Sequence, residues 1–172
     1  MIDKTERAHH LFLTIDEWAS DPFCFCKPVA KTPEDRRALV QAAFGKGAKF
    51  FLGSDSAPHP VEAKKGRGKT AAGCFTQPYV AALVVEAMEH GAKNGWIEPD
   101  LVTVEVLEEF CSKRGRKFYG MLVGDEEKDR IILEKKGAKI ASILKSSDDT
   151  IEVVPFRSDQ DIRSLQWEAP KR

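Results

Sequence analysis

The sequence lacks an excess of either charge: 27 Lys and Arg face 27 Asp and Glu. A dedicated nucleic-acid binder carries a basic surplus, so that class is excluded. Long apolar runs are missing as well. The longest, residues 79–85, falls far short of the ~20 residues that span a bilayer, so no membrane role is expected. The opening residues Met1-Ile2-Asp3-Lys4-Thr5-Glu6-Arg7 hold no apolar leader core, so no secretory signal is expected. Cysteine is scarce, with Cys24, Cys26, Cys74 and Cys111 in all. Without an export signal these four do not suggest a disulfide framework, and a reducing, cytoplasmic setting is expected. Disorder is excluded too, because 42% of the residues are hydrophobic and the net charge is zero.

What is present fits one unit over residues 1–172, since a domain takes about 100–200 residues. Leu11-Phe12-Leu13-Thr14-Ile15 and Phe23-Cys24-Phe25-Cys26 read as short strands, broken by Asp21-Pro22 and Lys27-Pro28. A helix follows, with Thr32 as its cap, Pro33 at the first helical position, and Glu34 and Asp35 in the first turn. Leu39, Val40, Ala43 and Phe44 share one face of it, and Gly45 and Gly47 end it. Lys49-Phe50-Phe51-Leu52-Gly53 is a third strand, so strand, helix and strand imply a parallel βαβ unit. Residues 54–77 form a long aperiodic stretch of the kind that carries function. Residues 79–90 read as a buried helix. A second helix spans residues 103–113, with Cys111 on its core face and Gly115 past its end. The remainder looks β-rich at residues 131–133, 140–144 and 151–156, and the tail from Asp159 is polar apart from Trp167.

The chemistry concentrates where the third strand runs into Gly53-Ser54-Asp55-Ser56-Ala57-Pro58-His59-Pro60. In parallel α/β folds, sites form at the carboxyl ends of strands. Asp55 stands at such an end, where a carboxylate binds a metal or carries a proton as base and then acid. His59, between two prolines, is placed to hydrogen-bond an anionic ligand. An equally economical account has Asp55 capping a turn and His59 at the surface. Other constellations are weaker. The run Gly66-Arg67-Gly68-Lys69-Thr70 resembles a phosphate loop, but the required first glycine is Ala63 and no strand precedes it. Cys24-x-Cys26 with Cys74 lacks the second pair of a structural zinc site and reads as buried thiols. His9 and His10 are adjacent, which in a strand or helix points them apart and disfavours joint ligation. His90, at a helix end, suits the helix dipole.

Phe51-Leu52-Gly53-Ser54-Asp55-Ser56-Ala57-Pro58-His59 closely resembles the strand-eight signature of the dihydroorotases, in their smaller, single-function class. Residues 10–19, Phe25-Cys26-Lys27-Pro28-Val29-Ala30-Lys31, Phe118-Tyr119-Gly120 and Val154-Pro155-Phe156 resemble the fungal form. Ala72-Gly73-Cys74-Phe75 resembles the loop that closes over the substrate. The likeness covers nearly the whole chain but only the carboxy-terminal half of the family's sequence. It implies an α/β fold: about three strands of a TIM (β/α)8 barrel of the amidohydrolase superfamily, with a small β-rich tail. The implied reaction is the reversible hydrolysis of L-dihydroorotate to N-carbamoyl-L-aspartate in de novo pyrimidine (UMP) synthesis, with two zinc ions per site. On this likeness Asp55 ligates metal and carries the proton, and His59 binds the substrate carboxylate. Lys27 and Ala72 contact the ring through backbone groups, and Gly73 permits close backbone approach.

The resemblance also sets what is wanting. The family's metal site needs a His-x-His pair, a carboxylated lysine and two further histidines, and this sequence has no His-x-His. One carboxylate does not hold a binuclear zinc centre. A complete barrel needs about 200–250 residues. The chain is therefore expected to be inactive alone and to associate, as a homodimer or with a complementing amino-terminal half. The alternative is a non-catalytic barrel remnant that serves as an interaction partner.

Overall fold

The computed structural model describes residues 5–66, 68–121 and 130–168. Arg67, part of the basic run, lies outside the described residues. Strand β1 (Thr5–Glu6) pairs in parallel with β2 (Phe51–Leu52), Thr5 facing Phe51 and Glu6 facing Leu52. The Gly53 amide extends the ladder to the Glu6 carbonyl at 3.0 Å. The parallel βαβ unit is thus present, but its first strand lies earlier than expected.

Residues 11–15 are not a strand. Ala8–Leu11 is a 3-10 turn, and helix α1 (Ile15–Ser20) follows at once. Thr14-Ile15-Asp16-Glu17 is a capping signature: the Glu17 carboxylate accepts from the Thr14 amide at 2.6 Å and satisfies a helix-start donor. That local bond outweighs the strand preference of the apolar run. Residues 23–26 are not a strand either. Pro22–Cys24 is a 3-10 turn, held by the Asp21 carboxylate accepting from the Phe23 amide at 2.8 Å. Among the described residues, two parallel strands therefore pair where three were expected.

Helix α2 (Pro33–Phe44) matches expectation. Thr32 accepts from the Asp35 amide at 3.3 Å, and Asp35 accepts from the Thr32 amide at 3.0 Å. The loop after β2 contains a short helix, α3 (Val61–Lys65), that the sequence pattern did not reveal. Helix α4 (Val80–Lys93) runs three residues past its expected end, through Gly91. There a Cβ would lie 2.6 Å from Val40 Cγ1, so the glycine lets α2 and α4 pack closely.

The next helical run is longer than expected: α5 (Val104–Glu108), a π-type stretch Glu109–Lys113, and α6 (Arg114–Phe118). Thr103 caps it, accepting from the Val106 amide at 3.3 Å. Gly115 lies within the run, under the Phe51 ring, and does not end it. Cys111 is exposed, against the expectation of a core position. The wider π turn shifts the helix register, so Phe110 takes the fully buried place and Cys111 turns outward.

Antiparallel strands β3 (Arg130–Lys139) and β6 (Asp161–Glu168) form a second sheet, with a register shift between Glu134 and Gly137. Strand β6 falls in the tail whose sequence is polar apart from Trp167 and which was not expected to form a strand. Strands β4 (Leu144–Lys145) and β5 (Glu152–Val153) make a small hairpin. Two apolar clusters hold these pieces together. One lies between α2, α4 and Phe110. The other joins Leu13, Cys26, Cys74, Leu83, Ile140 and Phe156. Arg157 fastens the tail to α4 through Glu86 at 2.7 Å. Among the described residues, no helix is long and apolar enough to cross a membrane.

Candidate functional site

Strand β2 delivers Asp55 at its carboxyl end. The Asp55 backbone has φ +40°, a left-handed conformation that aspartate tolerates better than most residues. Its carboxylate lies 2.5 Å from Arg7 Nε, just beyond β1. Both side chains are partly open to solvent, so this ion pair orients the carboxylate more than it stabilises the fold. Arg7 was not singled out in the sequence, because nothing in its neighbours marks it.

The chain then doubles back beside the loop expected to cover a substrate. Ser56 Oγ accepts from the Thr76 and Gln77 amides at 3.0 and 2.9 Å. The Ala57 amide donates to the Cys74 carbonyl at 3.0 Å. His59 Nε2 lies 3.0 Å from the Ala72 carbonyl. Since a carbonyl only accepts, this bond fixes the proton on Nε2. Gly73 is pressed against the same turn. A Cβ there would come within 2.6 Å of Ala57 Cβ, 2.7 Å of Ala57 O and 3.1 Å of the His59 ring. His59, Ala72 and Gly73 are thus brought into direct contact.

Lys64 ties this turn to the segment that carries Lys27. Its ammonium donates to the carbonyls of Phe25 (3.0 Å), Ala71 (2.9 Å) and Gly73 (2.8 Å). The side chain is buried, and burial pulls its pKa below the usual lysine value. The Gly73 amide completes the tie by donating to the Phe25 carbonyl at 2.9 Å. Both backbone groups of Gly73 are therefore engaged within the chain, and the close approach it permits is to Ala57 and His59. Lys64 stands in the aperiodic stretch 54–77, where no pattern in the sequence marks it. Only the fold of α3, which turns it inward, reveals its role. Lys27 itself is exposed and lines a groove of about 740 Å³ with Trp18, Phe25, Lys69 and Thr70.

A second group of polar side chains lies inside the protein. His9 and His10 share the 3-10 turn after β1, with ring centroids 4.6 Å apart. One ligand atom from each and the Cys26 sulfur all lie within 4.8 Å of one another. The expectation that adjacent histidines diverge fails here, since the two rings lie against each other, tilted by 41°. The Cys74 thiol and the two imidazoles favour the Cys26 thiolate, pulling its pKa well down, while Cys74 is pushed up in response. Cys24 is a different case: burial, with Asp21 beside it, raises it to about 12 and keeps it a neutral thiol. His90, in the last turn of α4, is lowered by burial and by Arg36 and Lys93.

A scan against protein families finds no profile that matches this chain. Curated proteins do match. A probable dihydroorotase of Schizosaccharomyces pombe is 41% identical over 163 residues, covering 95% of this chain and 42% of that protein. The dihydroorotase of Saccharomyces cerevisiae is 40% identical over 168 residues, covering 95% and 43%. Its homologues are dihydroorotases. Solved structures agree. The S. cerevisiae dihydroorotase in complex with 5-fluoroorotic acid superposes with a TM-score of 0.81 at 39% identity, covering 97% of this chain and 43% of that one. A Campylobacter jejuni dihydroorotase gives 0.72 at 28% identity, covering 95% and 44%. The chain spans about two fifths of the length of these dihydroorotases, a coverage that fits the carboxy-terminal half inferred from its motifs.

Proposed function

We propose that the chain supplies the strand-eight and substrate-loop share of a dihydroorotase site, for the reversible hydrolysis of L-dihydroorotate to N-carbamoyl-L-aspartate. The observation that carries this reading is the knot of His59, Ala72, Gly73 and Lys64 in the chain that follows Asp55 from the carboxyl end of β2. It stands in a chain whose relatives are dihydroorotases at 40–41% identity. The β1–β2 pair belongs, on this reading, to a (β/α)8 barrel, with residues 130–168 as the appended tail.

The roles follow from the chemistry. Hydrolysis of the ring amide requires a proton to leave the attacking water and another to reach the departing nitrogen. Asp55 is the group for that transfer, as base and then acid. His59 is the contact for a ligand carboxylate: with Nε2–H donating to Ala72, the imidazolium offers its second N–H, at Nδ1, to that anion. Lys27 and the Ala72 backbone contact the pyrimidine ring, and Gly73 sets the spacing of that loop. Cytoplasmic location, a part in pyrimidine synthesis, and pairing as a homodimer or with an amino-terminal half belong to the same proposal.

The described residues do not by themselves fit the two zinc ions that this family implies. The partner shown for Asp55 is the cation Arg7. The described group with ligand spacing is His9, His10 and Cys26, which excludes Asp55. No step is therefore routed through zinc, although Asp55 remains the proposed contribution of this chain to such a centre. The test is to combine the chain with an amino-terminal portion of a fungal dihydroorotase and substitute His59. His59→Ala should raise the KM for dihydroorotate at least tenfold with a smaller effect on kcat. An unchanged KM would remove His59 from the site.

A further inference from the structure

We propose that His9, His10 and Cys26 form a buried site for one divalent ion of the zinc class, separate from Asp55. The inference does not depend on the proposed reaction. All three side chains are buried, and their ligand atoms lie within 4.8 Å of one another. Two imidazoles and a sulfur are the donor set that zinc and its neighbours prefer over the harder magnesium and calcium.

A second observation points to a ligand. Three ring nitrogens in this cluster, both of His9 and Nδ1 of His10, are buried without a hydrogen-bond partner. His9 is only 1% exposed, so water does not compensate it. Buried polar atoms without partners are costly and rare, and an ion that takes one nitrogen from each ring accounts for His10 Nδ1 and for one of the two on His9. The remaining nitrogen, His10 Nε2, donates to the Pro28 carbonyl at 2.9 Å and lies 3.8 Å from the Cys26 sulfur, which leaves Nδ1 as the His10 atom free for an ion. A backbone carbonyl in that position is the usual outer partner that fixes the ring of a ligating histidine.

Tetrahedral zinc with bonds of about 2.0 Å to nitrogen and about 2.3 Å to sulfur sets its donors roughly 3.3–3.8 Å apart. A pair of donors at the 4.8 Å limit has to close by about 1.0–1.5 Å to meet that spacing. The ion takes Cys26 as its thiolate, any proton on the sulfur passing to solvent, and no oxidation state changes.

The test is a cobalt(II) titration of the full chain under reducing conditions. The expected result is a near-ultraviolet sulfur-to-cobalt absorption that saturates at one ion per chain. It should be lost in Cys26→Ser, weakened at least tenfold in His9→Asn, and kept in Cys111→Ser and Asp55→Asn. A second measurement needs no variant: zinc should slow alkylation of Cys26 at least tenfold while leaving Cys111 unaffected. An absorption that survives Cys26→Ser in a folded variant overturns the proposal. So does a wild-type chain that shows neither the absorption nor the protection. Because Asp55→Asn keeps the band, failure here is distinguishable from failure of the proton-carrier role.

Discussion

The Lys64 ammonium, with 3% of the residue exposed, reaches the carbonyls of Phe25, Ala71 and Gly73. Burial works against the cation, and the three acceptors offset that cost. In Lys64→Met the acceptors lose a charged donor, and the chain should be destabilised by roughly 2–4 kcal/mol in urea denaturation. A loss below about 0.5 kcal/mol would show that the ammonium does not hold the two segments together. Gly73→Ala should cost roughly 2–4 kcal/mol, because the new methyl meets the Ala57 carbonyl oxygen at 2.7 Å and the backbone has φ +157°. A Gly73→Ala chain with an unchanged unfolding midpoint would mean that the turn relaxes freely. These two residues differ in legibility. Asp55, His59, Ala72 and Gly73 could be picked out by motif, since each stands in a recognisable string. Lys64 and Arg7 could not, because their partners lie elsewhere in the sequence: Lys64 meets a carbonyl 39 residues away, and Arg7 meets a carboxylate beyond the whole βαβ unit.

Local signals also competed at the level of elements. Helix α2 was legible because its cap, its proline and its apolar face agree. Residues 11–15 were misread because an apolar run and a Thr-x-x-Glu cap overlap, and the cap decided the outcome. Strand β6 was missed because its partner β3, not its own pattern, makes it a strand; the shift at Glu134 and Gly137 breaks simple alternation. The β4–β5 hairpin offers a test of local order. Asp148 accepts from the Ser146 hydroxyl at 2.6 Å, the Thr150 hydroxyl at 2.9 Å and the Thr150 amide at 3.2 Å. These bonds, the Ser146 hydroxyl foremost, lower its pKa from 3.8 to about 2. A lowered carboxylate pKa means that the stabilisation is complete above 3.8 and is lost as pH falls through about 2. An NMR titration should place the Asp148 midpoint near 2, with the Ile151 amide losing protection below it. A midpoint near 3.8 would contradict the three-bond turn.

For the molecule as a whole, the described β1–β2 pair is a parallel sheet of two strands. Parallel strands are normally covered on both faces and continued on both edges. On one side of β2, the Phe51 ring packs with Phe118 and Tyr119 at 5.2 and 5.8 Å, while Tyr119 and Met121 are 65% and 57% exposed. The chain should therefore associate, and sedimentation velocity should show an apparent mass that rises with concentration in the micromolar range. A monomer at every concentration would mean that the small sheet suffices by itself. The central claim is that this chain contributes Asp55 and the substrate loop to a dihydroorotase site that other residues complete. The most direct measurement is dihydroorotate hydrolysis by the chain alone, by an amino-terminal portion of a fungal dihydroorotase alone, and by the two mixed. Turnover is expected only in the mixture, and Asp55→Asn should lower it at least a thousandfold while the halves still associate. Turnover by this chain alone, or a mixture in which Asp55→Asn retains near-normal rate, would contradict it.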